Sequence, residues 1–210
     1  NVAIALNQLE QAKQRLVQAL SSAEKIQDDN DRSDALHEVA TAYGKLNAPA
    51  IAQSVLAKAL SSAEKIPGDS ARSSVLHAIA TAYGKQNAPT IAQSGLAKVL
   101  SSAEKIPADY ARSRALRAIA TAYGKQNAPT IAQSVLVKAL SSAEKIQAVE
   151  AKSSVLKTIL QSQCAIAEQF RQQQQPTAAR AMLKRAEADA LKGIQDSPDK
   201  FRVEGSPNTF

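Results

Sequence analysis

Leu76, Ile79, Ala80 and Tyr83 stand at the i, i+3, i+4, i+7 spacing that places side chains on one stripe of a helix, and predict a helix over Ala71–Gln86. Asn87 follows, a residue that tolerates the left-handed backbone of a helix C-terminus. Pro89 then stands where a second helix should begin, since its missing N–H costs little in a first turn. That second predicted helix, Pro89–Ile106, carries Ile91, Ala92, Leu96, Val99, Leu100, Ala103 and Ile106, an apolar surface broad enough to be touched from two sides. Ile106-Pro107 closes it, because the residue before a proline disfavours helical geometry. Asp109 is expected to cap the next helix.

The same pattern recurs. SSAEKI begins at Ser21, Ser61, Ser101 and Ser141, and ATAYGK begins at Ala40, Ala80 and Ala120, both with a period of 40 residues. A helical hairpin cannot bury its apolar face alone, so a period of this length signals stacked units sharing one continuous core. The ends differ from the middle. Asn7–Ile26 aligns with a second helix only, leaving Val2–Leu6 as the last turn of a first helix. Toward the C-terminus, Phe170, Pro176, Ala179, Leu183 and Ala186 repeat the spacing of Tyr123, Pro129, Ala132, Leu136 and Ala139, but 47 residues on. The added seven residues amount to about two helical turns, so a long helix over Ala151–Gln172 keeps its apolar stripe. The expectation is one helical-repeat domain over 1–194. It comprises a partial repeat at 1–27, full repeats at 31–66, 70–106 and 110–146, and an extended capping repeat at 150–194, with a flexible tail at 195–210.

In ALRAIATAYGKQNAPTIAQSVLVKAL, Leu116, Ile119, Ala120 and Tyr123, then Ala132, Leu136 and Ala139, resemble the large, small and aromatic positions of the tetratricopeptide repeat. Tyr43, Ala52, Leu56 and Ala59 match in the same way, as do Tyr83, Ala92 and Leu96, with Val99 in the small position. The family period is about 34 residues, so the longer unit here must extend the second helix and the loop after it. The glycine between family helices is replaced by Asn47, Asn87 and Asn127. The resemblance implies an all-α, right-handed α-solenoid of antiparallel helix pairs whose first helices line a concave groove.

Composition and charge narrow the function classes. Apolar residues form 44% of the chain but aromatics only 3%, with no Trp, which suits closely packed helices of Ala, Leu and Ile. No apolar run is long enough to span a bilayer. The chain is expected to be soluble, with the cytoplasm favoured over an exported mature form. It begins at Asn1, which reads as a processed protein or an excised fragment. The net charge of +7 is distributed as −1 over residues 1–30, −1 over 31–70, +2 over 71–110, +4 over 111–150 and +3 over 151–210. A drift in charge along units of constant structure is not demanded by folding and points to recognition.

Offsets from the aromatic place four columns of side chains in the groove that the resemblance implies. They are Asp34, Ser74 and Arg114; His37, His77 and Arg117; Thr41, Thr81 and Thr121; and Lys45, Lys85 and Lys125, with Lys157 extending the second column. The first two columns change between repeats while most buried positions do not. These residues are the candidate partner-binding surface of a non-catalytic protein-interaction scaffold. Guanidinium groups bind carboxylates in a bidentate way, so an acidic peptide or protein is the expected partner. Nucleic-acid binding through the basic C-terminal half is one alternative, weakened by the lack of aromatics on this face. Self-assembly through the open N-terminal edge is another.

No catalytic, metal or cofactor site is expected. His37 and His77 lie on successive first helices about 10 Å apart, too far for one zinc ion. Cys164, the single cysteine, cannot form an internal disulfide and reads as a partly buried structural thiol. The serine pairs at Ser61-Ser62, Ser101-Ser102 and Ser141-Ser142 should face solvent or bond the preceding turn. Glu64, Glu104 and Glu144, each followed by Lys, read as a solvated face. Gly44, Gly84 and Gly124 sit inside helices and form no phosphate-cradling loop.

Overall fold

In the computed structural model, which describes residues 2–196, the periodic apolar stripes become helices α1 (Val2–Ala23), α2 (Asp29–Lys45), α3 (Pro49–Ala63), α4 (Asp69–Gly84), α5 (Pro89–Glu104), α6 (Asp109–Lys125), α7 (Pro129–Glu144), α8 (Val149–Gln172) and α9 (Pro176–Asp196). The chain is an all-α solenoid in which hairpins α2/α3, α4/α5, α6/α7 and α8/α9 stack side by side. Each of α3, α5, α7 and α9 begins at a proline, whose fixed φ suits a first helical turn. Leu9 stands where those prolines would recur, so nothing interrupts α1. Val2–Leu6 is therefore continuous with the helix that follows rather than the end of a separate one. Gln195 and Asp196 complete α9, and the remainder of the tail expected at 195–210 lies outside the described residues.

The helix ends depart from expectation in instructive ways. Asn47 and Asn127 do take the left-handed backbone, with φ 54 and 57. There the N–H of Ala48 returns to Tyr43 O, and that of Ala128 to Tyr123 O, at 3.0 Å each. Asn87 does not, and α4 ends at Gly84 rather than Gln86. Asp109 is not a cap either: it is the first residue of α6, behind Ala108, which offers no side-chain bond. Its carboxylate instead holds Arg112, whose Nε donates to Ser142 Oγ at 3.0 Å and whose Nη1 donates to Ile106 O at 2.7 Å. Arg32 does the same with Asp29, Ser62 and Ile26 O. In these two units the arginine clasps the first helix to its partner and to the loop before it.

The second unit is built differently. In the first and third, Ser33 Oγ donates to Ala59 O at 2.8 Å and Ser113 Oγ to Ala139 O at 2.9 Å, bonds that need the two helices of a hairpin to touch. Val99 replaces that alanine, and Ser73 turns to Ala111 O of the next unit instead, at 2.8 Å. Arg72 keeps its bonds to Ile66 O but has none to Ser102, whose hydroxyl bonds Glu64. Accordingly α4 packs more broadly on α6 than on its own partner α5, whereas α2 and α6 pack chiefly on α3 and α7. A Cβ on Gly84 would lie 3.1 Å from both Cα and Cβ of Ala122, a close approach between α4 and α6 that glycine permits. Gln126 seals this seam, its Nε2 donating to Tyr83 O at 2.9 Å and Gln86 O at 3.0 Å.

Candidate functional site

The first helices meet along seams, and two cavities open there one repeat apart. The cavity between α2 and α4, of ≈ 660 Å³, is lined by His37, Thr41 and Lys45 from α2 and by Thr81 from α4, with Lys85 just past the end of α4. The cavity between α4 and α6, of ≈ 300 Å³, is lined by His77 and Thr81 from α4 and by Arg117, Thr121 and Lys125 from α6. The second, third and fourth sequence columns therefore converge in space. Thr81 belongs to both cavities, so a chain crossing one seam meets the next.

The two cavities differ in charge because the repeats differ at two positions. Glu38 borders the larger one, where α4 and α6 carry Ala78 and Ala118. Arg117 replaces a histidine in the smaller one, whose lining holds no carboxylate. Arg117 is half-buried. Its Nη1 donates to Ser162 Oγ of α8 at 3.3 Å, while Nε is buried without a partner. Burial and the neighbouring Arg114 guanidinium push its pKa down. Thr121 Oγ1 donates to Arg117 O at 3.0 Å, a bond to the preceding turn of α6.

His77 is held below its ordinary value of 6.5, first by burial and then by Arg117 and Arg114. The folded chain thus binds fewer protons here than the unfolded chain, and folding stability falls as pH drops below 6.5 toward the depressed value. His77→Gln is expected to flatten that part of a urea-denaturation midpoint against pH profile between about pH 7 and 5. An unchanged slope would mean that His77 contributes nothing to it.

Other candidates stand outside the cavities. Asp34 and Ser74 are exposed, and Ser74 Oγ bonds back to Ser70 O at 3.1 Å. Arg114 sits with its guanidinium 5.8 Å from the Tyr110 ring centre, close enough to act electrostatically on His77 and Arg117 but not lining their cavity. Lys157 is exposed and lines neither cavity. The reason is register. A Cβ on Gly124 would meet Ile166 at 3.1 Å, whereas one on Gly84 meets Ala122, so α8 is advanced by four residues, about one turn, over the strict period. Sequence reading missed Glu38 and the Ser162 anchor of Arg117. The first is visible only as a charge beside a column, and the second depends on that shifted register. Cys164 is exposed, not partly buried.

Among the described residues no group of three or more His, Cys, Asp or Glu could hold a metal ion, and no helix is long and apolar enough to cross a membrane. No protein-family model matches the chain, and no curated protein matches its sequence. Among solved structures, the chain has a distant likeness to BtubC (BKLC) from P. vanneervenii, with 10% identity, 96% of each chain covered and a TM-score of 0.45.

Proposed function

We propose that this chain is a non-catalytic, tetratricopeptide-like scaffold that holds an acidic peptide across its first helices. The observation that carries the reading is the α4–α6 cavity, where Arg117, Lys125 and His77 converge with no carboxylate among the lining residues. A half-buried guanidinium already anchored on one side by Ser162 is oriented before a ligand arrives, which lowers the entropy cost of binding a carboxylate. The adjoining α2–α4 cavity, with Lys45 and Lys85 against Glu38, then admits a less acidic stretch of the same peptide.

A fluorescein-labelled glutamate-rich peptide provides the probe. Arg117→Ala with Arg114→Ala should weaken its binding by roughly tenfold or more, as expected for losing a charge-assisted hydrogen bond. Lys65→Ala with Lys105→Ala, on exposed second-helix ends, should leave it unchanged. Equal losses from both pairs would sink the reading. Preference for single-stranded nucleic acid, with a steep loss of affinity on adding salt, would assign the basic face to phosphates instead.

A further inference from the structure

Helix α1 aligns with the second helices, and no first helix precedes it among the described residues. In the later hairpins the first helix covers two surfaces at once. One is its own partner, where Ala52, Leu56 and Ala59, and likewise Ala132, Leu136 and Ala139, are at most 1% exposed. The other is the following first helix, where Ala122 lies against Gly84 and Gln126 reaches the end of α4. Carried back along the 40-residue period, one repeat from Ala52, Leu56 and Ala59 and two from Ala122 and Gln126, these surfaces become Ala12, Leu16 and Ala19 on α1 and Ala42 and Leu46 at the end of α2. Those five residues line one groove of ≈ 610 Å³ and are partly exposed. The repeat operation thus places a helix where the described residues hold none.

The groove is not a plain copy of the interior seams. Leu46 replaces Gln86 and Gln126, making the floor more apolar, and Arg15 stands where Val55 and Val135 are buried. Lys45 joins Arg15 on the rim, and neither forms an ion pair among the described residues. A regular hydrophobic extension of the array would leave Arg15 buried and unpaired, which is costly. We propose that the groove takes an amphipathic helix of a partner protein, with small and aliphatic residues on one face, as on this chain's first helices, and carboxylates along its edge to meet Arg15 and Lys45. The inference uses a different groove from the acidic-peptide reading and shares with it only Lys45, which also borders the α2–α4 cavity.

The chain's own helices supply matched probes. The α2 sequence, residues 29–45, carries Asp29, Asp31, Asp34 and Glu38 against Arg32 and Lys45. The α6 sequence, residues 109–125, carries Asp109 against Arg112, Arg114, Arg117 and Lys125. Each is made as a fluorescent peptide held helical by a staple on its outward face and titrated with the whole chain. The acidic peptide should bind at least tenfold more tightly than the basic one. Leu16→Asp should cost it at least tenfold, and Arg15→Glu with Lys45→Glu should reverse the preference while circular dichroism stays unchanged. Equal affinity for the two peptides, no binding of either, or insensitivity to Leu16→Asp would overturn the proposal. So would a concentration-dependent dimer, lost with Leu16→Asp, in sedimentation velocity without peptide, which would give the groove to a second copy. The Arg114 and Arg117 variants should leave α2-peptide binding intact, so failure here is distinguishable from failure of the acidic-peptide site.

Discussion

Gly95→Val is expected to destabilise the array by about 1–3 kcal/mol, the cost of overpacking a filled core, although valine is what the other two repeats carry at Val55 and Val135. A Cβ at Gly95 would stand 2.2 Å from Cε1 and Cζ of Tyr83, a residue that is 2% exposed. Glycine in mid-helix is otherwise a liability of roughly 0.5–1 kcal/mol, so its presence in α5 is explained by the ring it admits. Val99→Ala alone should cost about 1–2 kcal/mol for two lost methyl-sized groups. The two changes together restore the side chains that let α2/α3 and α6/α7 pack closely. Their combined effect should fall short of the sum by at least about 1 kcal/mol. Urea unfolding of the four chains measures this, and strict additivity would show that Val99 and Gly95 do not jointly set the open α4/α5 hairpin.

That hairpin marks the boundary of what sequence periodicity could reveal. The 40-residue period and the prolines at Pro49, Pro89, Pro129 and Pro176 were enough to place the hairpins, because apolar spacing and helix starts are local properties. The altered second unit was invisible. Gly95 stands where the other repeats carry Val55 and Val135, and Val99 where they carry Ala59 and Ala139, and only the geometry against Tyr83 and Ser73 connects the two changes. Asn87 illustrates the same limit: its two equivalents adopt the left-handed turn, while the end of α4 is satisfied from outside by Gln126. Within the candidate site, His77, Arg117, Thr121 and Lys125 were legible because offsets within one helix translate directly into a face. Lys157 lies outside both cavities because its placement depends on the register between α6 and α8, which the longer α8 resets.

The largest loss of stability is expected at Phe170, and it should be confined to one end. Phe170 is fully buried at the position of the repeat tyrosines, and its carbonyl accepts the N–H of Gln175 at 2.8 Å in the turn that leads into α9. Phe170→Ala should cost about 3–5 kcal/mol. A solenoid transmits such damage only through nearest-neighbour contacts. The α8/α9 pair is joined to the rest mainly by α6 against α8 and α7 against α8, with polar ties such as Arg117 to Ser162 and Gln175 Nε2 to Asn127 Oδ1 at 2.7 Å. If the interior seams are stronger than this last one, the variant should lose hydrogen-exchange protection across residues 149–196 while amides of α2 to α5 keep most of theirs. Loss of the last unit would also withdraw Ser162 from Arg117, so affinity for the glutamate-rich peptide should fall even though Phe170 touches neither cavity. Uniform loss of protection from α2 to α9 would instead mean that the array unfolds as a single cooperative block, with the C-terminal pair an integral part of it.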